Sequence, residues 1–346
     1  MAEQLLQGPD IGRVKRRAIR LSKEELVTLR FLQEGVQLPL VVEPAIPGVN
    51  LSAWAAGNRE SIETQLHKHG AILFRGFNAN TVQAFEEFVE AVSGHPMQYQ
   101  ERSSPRHEVG RRIYTSTDYP ADQSIFPHNE HSYSMTFPSK LYFFCLTPAE
   151  QGGETPVADC RRVFARISPT LRERFAIKGW MYVRNFGDRF GLRWETVFQT
   201  SNRIEVEEYC RNNRIEFEWK KDNGLKTWQV RPAVAAHHTT GERVWFNHAT
   251  FFHVSTLPAQ IRDGVLSAFE QADLPNNTYY GDGADIEPEE LEELRQAYLQ
   301  ETVAFQWQQG DILLIDNMLT AHSRAAFSGP RQILVAMAAP FSRKDI

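Results

Sequence analysis

Two hydrophobic periods run through the chain. Val82, Phe85, Phe88, Val89 and Val92 recur at helical spacing before Gly94, with Asn80 placed to cap the helix. A second helix is expected from Asn58 to about His69, stopped by Gly70. Residues 71–75, 141–146, 311–316 and 332–337 instead carry continuous apolar stretches of strand length, the pattern of strands covered on both faces. Residues 38–51, rich in Pro and Val, read as extended chain with turns, and 151–159 as a turn and a strand. Residues 228–231 and 244–247 read as shorter strands. Ser168-Pro169 opens a helix that ends near Gly179, and another is expected near 205–213. Pro258 and Pro288 open two more, the first through about Ala272. Glu289, Glu290, Glu292 and Glu293 read as a solvated helix face. Ser22 to Glu25 has capping-box spacing before Leu26, Leu29 and Leu32, which predicts a short helix broken by Gly35. From His95 to Phe126 the periodicity lapses into a long polar stretch, the habit of a functional rim.

The expectation is a mainly β chain with helices, an α+β core with helical insertions. One domain covers 1–346, with 1–35 as an N-terminal arm and helix and with 96–127 and 184–230 as rim insertions around an active site. No repeat or linker divides it. Composition adds little: 42% hydrophobic and 23% charged residues are ordinary for a globular protein. A net charge of −5 supplies no general field for nucleic acid, and Arg13, Lys15, Arg16, Arg17 and Arg20 read as a solvated arm. Three cysteines without paired spacing argue against a disulfide framework and a zinc knuckle. With no apolar run long enough to span a bilayer, the chain reads as cytoplasmic, neither secreted nor membrane-bound.

Chemistry concentrates at Phe126-Pro-His-Asn-Glu-His-Ser-Tyr-Ser134. Of the 11 histidines only His128 has a carboxylate two residues on, Glu130. On a short extended piece the two side chains share a face, making two ligands of a two-histidine, one-carboxylate iron site. His322, just after the apolar run 312–315, is the candidate third. Arg331, nine residues later, opens the next strand. If those two strands pair, both side chains reach one pocket, and a guanidinium there grips a carboxylate bidentately. His253 and Arg262 repeat the spacing, but Arg262 falls in a helical pattern. Thr155 is the candidate hydroxyl beside Arg331, or simply a strand residue. Arg102, Arg231 and Asn247 are candidates for holding substrate, each also readable as structural. His131 and Tyr133 adjoin the metal stretch and either hydrogen-bond around it or pack. Asp316 and Asn317 are placed to brace the loop before His322, and His237-His238 reads as a hairpin turn.

These segments resemble the Fe(II)/2-oxoglutarate-dependent dioxygenases of the TauD/TfdA superfamily, nearest its SyrP-like branch. The likeness is carried by HNEHSYS (128–134), GGETPVADCRRV (152–163), VWFNHATFFH (244–253), NTYYGDG (277–283) and GDILLIDNMLTAHSRAAFSGPR (310–331), in family order. GAILFRGF (70–77) fits the same family's N-terminal region. The resemblance implies a double-stranded β-helix (jelly-roll) core. It implies His128, Glu130 and His322 as ligands of Fe(2+), and Thr155 and Arg331 as binders of the distal carboxylate of 2-oxoglutarate, with O2 as oxidant. Ser323-Arg324 stands where the family often has Gly-Arg, a departure of little consequence, and Arg324 is a further candidate for holding substrate or for hydrogen-bonding around the metal. Gln332 replaces a frequent second arginine. Glu130 favours hydroxylation over halogenation, since related halogenases lack that carboxylate. The implied substrate is an amino acid, free or tethered to a peptidyl carrier protein, in natural-product biosynthesis. Desaturation or cyclisation by the same cofactors, a cupin-like metal isomerase and a non-catalytic metal-binding relative are the alternatives.

Overall fold

The computed structural model describes residues 26–97, 107–116, 119–187 and 191–343. The basic arm, the capping-box residues and Arg102 lie outside them. Two facing sheets form the centre. The larger runs, side by side, β1 (Val27–Phe31), β2 (Leu40–Pro44), β3 (Ala71–Phe74), β17 (Ile312–Asp316), β7 (Thr136–Thr147), β20 (Gln332–Ser342), β5 (Ile113–Thr115) and β4 (Glu108–Gly110). The smaller runs β16 (Thr302–Val303), β9 (Val157–Asp159), β18 (Thr320–Arg324) and β6 (Ile125–His128). The smaller sheet pairs antiparallel throughout its described strands, as a jelly roll requires.

Alternation along the central strands feeds two different cores. Tyr142, Phe144, Ile312, Leu314 and Leu334 pack on one side against α1 (Leu51–Ala56), α2 (Arg59–His69) and α3 (Val82–Ser93), through Leu66, Phe85 and Phe88. Leu141, Phe143, Leu313, Ile315 and Val335 turn the other way and meet Val157 and Trp307 between the sheets. Burial of both faces explains why no charged residue falls within 141–146, 312–315 or 333–338.

The outer side of the smaller sheet is covered by the insertions. These comprise α4 (Cys160–Arg166), α5 (Pro169–Lys178), α6 (Trp194–Phe198), α7 (Arg203–Asn212), α8 (Ala259–Ala268) and α9 (Pro288–Glu301). Among them stands a third sheet ordered β11 (Glu216–Trp219), β12 (Leu225–Arg231), β10 (Trp180–Phe186) and β15 (Asn276–Tyr280), with a hairpin of β13 (Val234–Ala236) and β14 (Arg243–Trp245). β8 (Gln151–Gly152) pairs β19 (Phe327–Ser328). Ala158, Cys160 and Ala321 of the smaller sheet and its edge share a core with Phe175, Trp180, Trp245 and Tyr298.

Several expectations change in the folded chain. The helix expected after Ser22 is strand β1, added to the free edge of β2 and tied across by Arg30 to Glu43 at 2.6 Å. Thr81, not Asn80, caps α3, accepting from the Ala84 N–H at 3.1 Å. Asn58 precedes α2 as expected, but its amide donates to the Trp54 carbonyl. Helix α8 stops at Ala268, short of Ala272. The acidic run of α9 is only half solvated: Glu290 accepts from the Tyr280 hydroxyl, and Glu293 from the Ser168 N–H. Part of the irregular stretch 95–126 is the β4–β5 hairpin, which extends the larger sheet.

Candidate metal centre

His128 ends β6 and His322 is central in β18, and the two are direct cross-strand partners. Opposed residues of an antiparallel pair project from the same face, so their rings lie 4.4 Å apart. The Nδ1 of His128 is 2.9 Å from the Phe126 carbonyl. A carbonyl only accepts, so Nδ1 carries the proton and Nε2 keeps its lone pair for a metal. Phe251 and Phe143 wall the two rings at 4.5 and 4.9 Å.

Glu130 arrives from the tight turn after β6. Its Oε2 is 4.0 Å from His322 Nε2, and its Oε1 is 3.5 Å from His131 Nε2. The donor atoms of His128, Glu130 and His322 all lie within 4.8 Å of one another, close enough for one ion to bridge. The turn is fixed from outside. Asn317, on the crossover from β17 to β18, accepts from the Glu130 N–H and donates to the carbonyls of Glu130 and Pro138, each at 2.8 Å. Arg231 donates to the Tyr133 carbonyl, and Arg343 to those of Ser132 and Ser134. His131 sits at φ +55 and stacks on Tyr133.

A cavity of about 800 Å³ opens at this point, lined by His128, Glu130, Phe126, His248, Phe251, Phe252, the lip 122–125 and Arg324. Arg324, two residues after His322, donates to the carbonyls of Tyr119, Pro120 and Gln123 and so ties that lip to β18. Two candidates for holding substrate, each also readable as structural, make structural hydrogen bonds. Arg231 is spent on carbonyls of Tyr133, Asn213, Arg214 and Val230, and Asn247 braces its own turn through Ala233 and Ala249. Both are used up where backbone groups would otherwise be buried without partners. Nor does 184–230 line the cavity among the described residues; it builds its own small core around Trp194 and Val206. Tyr133 is buried behind His248 and Phe252. Arg262 lies on α8 paired with Asp263, so the His253/Arg262 pair is not a second site.

A second cluster, His67, His237 and Asp316, also has ligand-type atoms within 4.8 Å. Here the hydrogen bonds decide against a metal. His237 Nδ1 accepts N–H bonds from Thr239 and Thr240, so Nε2 carries the proton and donates it to Asp316 Oδ2 at 3.0 Å. The other oxygen of Asp316 caps the N–H groups of Met318 and Leu319. The pair braces the crossover that carries Asn317.

The strands 312–315 and 332–337, whose pairing would aim His322 and Arg331 into one pocket, do not pair: β17 and β20 share the larger sheet with β7 between them, and His322 stands on a strand of its own. β18 belongs to the smaller sheet and β20 to the larger. Arg331 reaches inward from the start of β20, its Nε bonded to the Gly153 carbonyl at 2.8 Å, its guanidinium over Phe327. Burial, with Arg324 close by, pulls its pKa down to about 10. Its Nη1 lies 3.5 Å from the Ser116 hydroxyl, and Glu154 is close enough to act on its charge, but among the described residues no carboxylate pairs with it; neither Arg331 nor Thr155 is among the residues that line the cavity. Thr155, two residues beyond Gly153, is buried, and its Oγ accepts from Trp307 Nε1 at 3.1 Å. The sequence reading missed Trp307, Asn317's hold on Glu130, and the wall of His248, Phe251 and Phe252. The aromatic wall carried a signal in the NHATFFH segment and Asn317 one in its place before His322, though not toward Glu130; Trp307 carried none.

Jelly rolls that present two imidazoles and a carboxylate from facing strands are the scaffold of non-haem Fe(II) oxygenases, and a half-buried arginine without a carboxylate partner suits a dicarboxylate co-substrate. This chain is of that class: residues 34–337 match the family described as Taurine catabolism dioxygenase TauD, TfdA family, and the protein belongs to that family of Fe(II)/2-oxoglutarate-dependent dioxygenases. It is 38% identical over 279 residues to the dapdiamide synthesis protein DdaC of Enterobacter agglomerans, covering 81% of this chain and 85% of that one. It is 29% identical over 322 residues to a clavaminate synthase-like protein of Arabidopsis thaliana, covering 88% and 94%. Among solved structures it resembles PvcB, an Fe, alpha-ketoglutarate dependent oxygenase, with a TM-score of 0.55 at 15% identity over 92% of this chain and 93% of that one. Among the described residues no helix is long and apolar enough to cross a membrane.

Proposed function

We propose that His128, Glu130 and His322 hold Fe(II), and that Thr155 and Arg331 bind the distal carboxylate of 2-oxoglutarate. The enzyme hydroxylates an unactivated C–H bond of an amino acid, free or carried on a peptidyl carrier protein, in natural-product biosynthesis. The observation that carries the metal assignment is the cross-strand pairing of His128 with His322, with Glu130 delivered between them. Arg331, half-buried and without a paired carboxylate among the described residues, supports the co-substrate assignment. DdaC, named for dapdiamide synthesis, supports a biosynthetic setting. The HNEHSYS segment supports the SyrP-like likeness.

When bound, iron and 2-oxoglutarate supply an oxidation coupled to loss of CO2 and formation of succinate. The chain's own groups position and exclude. His128 offers Nε2 because Phe126 holds the other nitrogen in its protonated form. Phe251 and Phe252 give the substrate an apolar wall, and Arg324 keeps the lip over it. Holding the reacting bond near its target geometry matters steeply: a misplacement of about 1 Å costs on the order of 100-fold in rate.

The test has two parts. Calorimetry should show one Mn(II) bound and 2-oxoglutarate bound only in its presence, with metal binding lost in His128→Ala. Succinate release should then be measured across free amino acids and aminoacyl carrier proteins, with mass spectrometry of the product. Gain of one oxygen supports hydroxylation; loss of two hydrogens redirects the reading to desaturation or ring closure. Metal-independent binding of 2-oxoglutarate would sink the site assignment.

A further inference from the structure

Thr155 and Arg331 are the groups assigned to the distal carboxylate, yet only one direction of the Thr155 hydroxyl is useful to an anion. A hydroxyl both donates and accepts, and rotates to suit its neighbours. The indole N–H of Trp307 is a donor only, so at 3.1 Å it obliges the Thr155 oxygen to accept. The hydroxyl proton is thereby turned elsewhere, and among the described residues it meets no acceptor. The indole is itself well supported. Trp307 is buried and packs edge-on against Phe305 at 5.0 Å. The peptides on both sides of it are pinned: the Gln306 carbonyl accepts from Arg75 at 2.8 Å, and the Gln308 N–H donates to Asp311 at 2.8 Å. Arg75 and Asp311 are in turn ion-paired at 2.6 Å, joining β3 to the start of β17.

We propose that Trp307 is a positioning residue for the co-substrate: its N–H, fixed by the Arg75–Asp311 pair, sets the Thr155 hydroxyl so that the proton is presented to the distal carboxylate of 2-oxoglutarate. This rests on the assignment of Thr155 made above. A preset donor needs no reorientation when the anion arrives, which favours affinity without touching the iron ligands. A purely packing role for Trp307 predicts no such link, because a ring of similar shape would serve as well.

The experiment is a double-mutant cycle read by calorimetry of 2-oxoglutarate binding to the Mn(II)-loaded full chain. Trp307→Phe keeps an aromatic ring against Phe305 and removes the N–H. It should weaken 2-oxoglutarate by about three- to tenfold, the range of one net hydrogen bond, while Mn(II) affinity stays at the wild-type value. Thr155→Val should weaken it too, and adding Trp307→Phe to Thr155→Val should change nothing further. Unaltered affinity in Trp307→Phe overturns the proposal. So does an equal loss in the Thr155→Val background, which would mean general disruption of the pocket. Wild-type affinity in Thr155→Val instead defeats the Thr155 assignment itself and this inference with it, so the two failures are distinct.

Discussion

Replacing Asn317 with alanine asks whether the crossover between the sheets places the carboxylate ligand. The side chain makes three hydrogen bonds of 2.8 Å: it accepts from the Glu130 N–H and donates to the carbonyls of Glu130 and Pro138. All three groups are buried with it. An orphaned buried group costs about 1–3 kcal/mol, so the three together reach about 3–9 kcal/mol if nothing replaces the amide. Water entering the vacated space returns part of this, which leaves an expected loss of about 3–5 kcal/mol in folding stability. The Glu130 side chain keeps its contacts, but its backbone is no longer fixed. Metal affinity should then fall by about 10- to 100-fold, the usual effect of losing a group that orients a ligand. Urea denaturation of the metal-free protein gives the first quantity. Mn(II) titration, under conditions where the variant is folded, gives the second. Asn317→Asp should be no better than alanine, because it turns both donors into acceptors against two carbonyls. The reasoning is refuted by a stability loss below about 0.5 kcal/mol, the level of an inert surface change, together with wild-type metal affinity.

Two further outcomes are expected. In Gly153→Ala, a Cβ would lie 3.0 Å from Arg331 Cδ and Nε and 2.9 Å from Ala149 Cβ, at a backbone φ of +74 that favours glycine. It should displace Arg331 from the Gly153 carbonyl and weaken 2-oxoglutarate while sparing Mn(II), both read by calorimetry; equal loss of both ligands contradicts this. His253 is held down to about 4 from its usual 6.5 by burial, with Arg295 adding to it. Between those values the unfolded chain carries a proton that the folded chain does not, so this contribution is complete above 6.5 and is lost as pH falls toward 4. The slope is up to about 1.4 kcal/mol per pH unit. Denaturation across that window should show a flatter profile in His253→Gln than in wild type, and an unchanged slope excludes His253 as its source.

The main strands were legible because both their faces are buried. Continuous apolar runs have few other uses at that length. Residues 27–31 misled for the opposite reason. Val27, Leu29 and Phe31 alternate on one face, but that face is largely exposed, and Leu26, Leu29 and Leu32 fit a helical period as well; the strand pairs with the edge of β2. At the site, His128-x-Glu130 was visible as a spacing and His322 as a histidine after a buried strand. Arg231 and Asn247 stayed open between holding substrate and a structural role, since a sequence shows that a side chain can grip something but not that backbone carbonyls already occupy it.

The sequence by itself determined the inventory: which runs must be buried, which two histidines and which carboxylate stand near strand ends, and a family likeness that orders them. That information is local, held in alternation and spacing. Tertiary structure decided the relations. It set His128 opposite His322 through β-sheet register, placed Arg331 on the sheet facing His322 rather than beside it, and aimed Asn317 at the peptide of a residue 187 positions away. It also decided that His67, His237 and Asp316 form a brace and not a second metal site, because the direction of a hydrogen bond is fixed only by the groups that close around it.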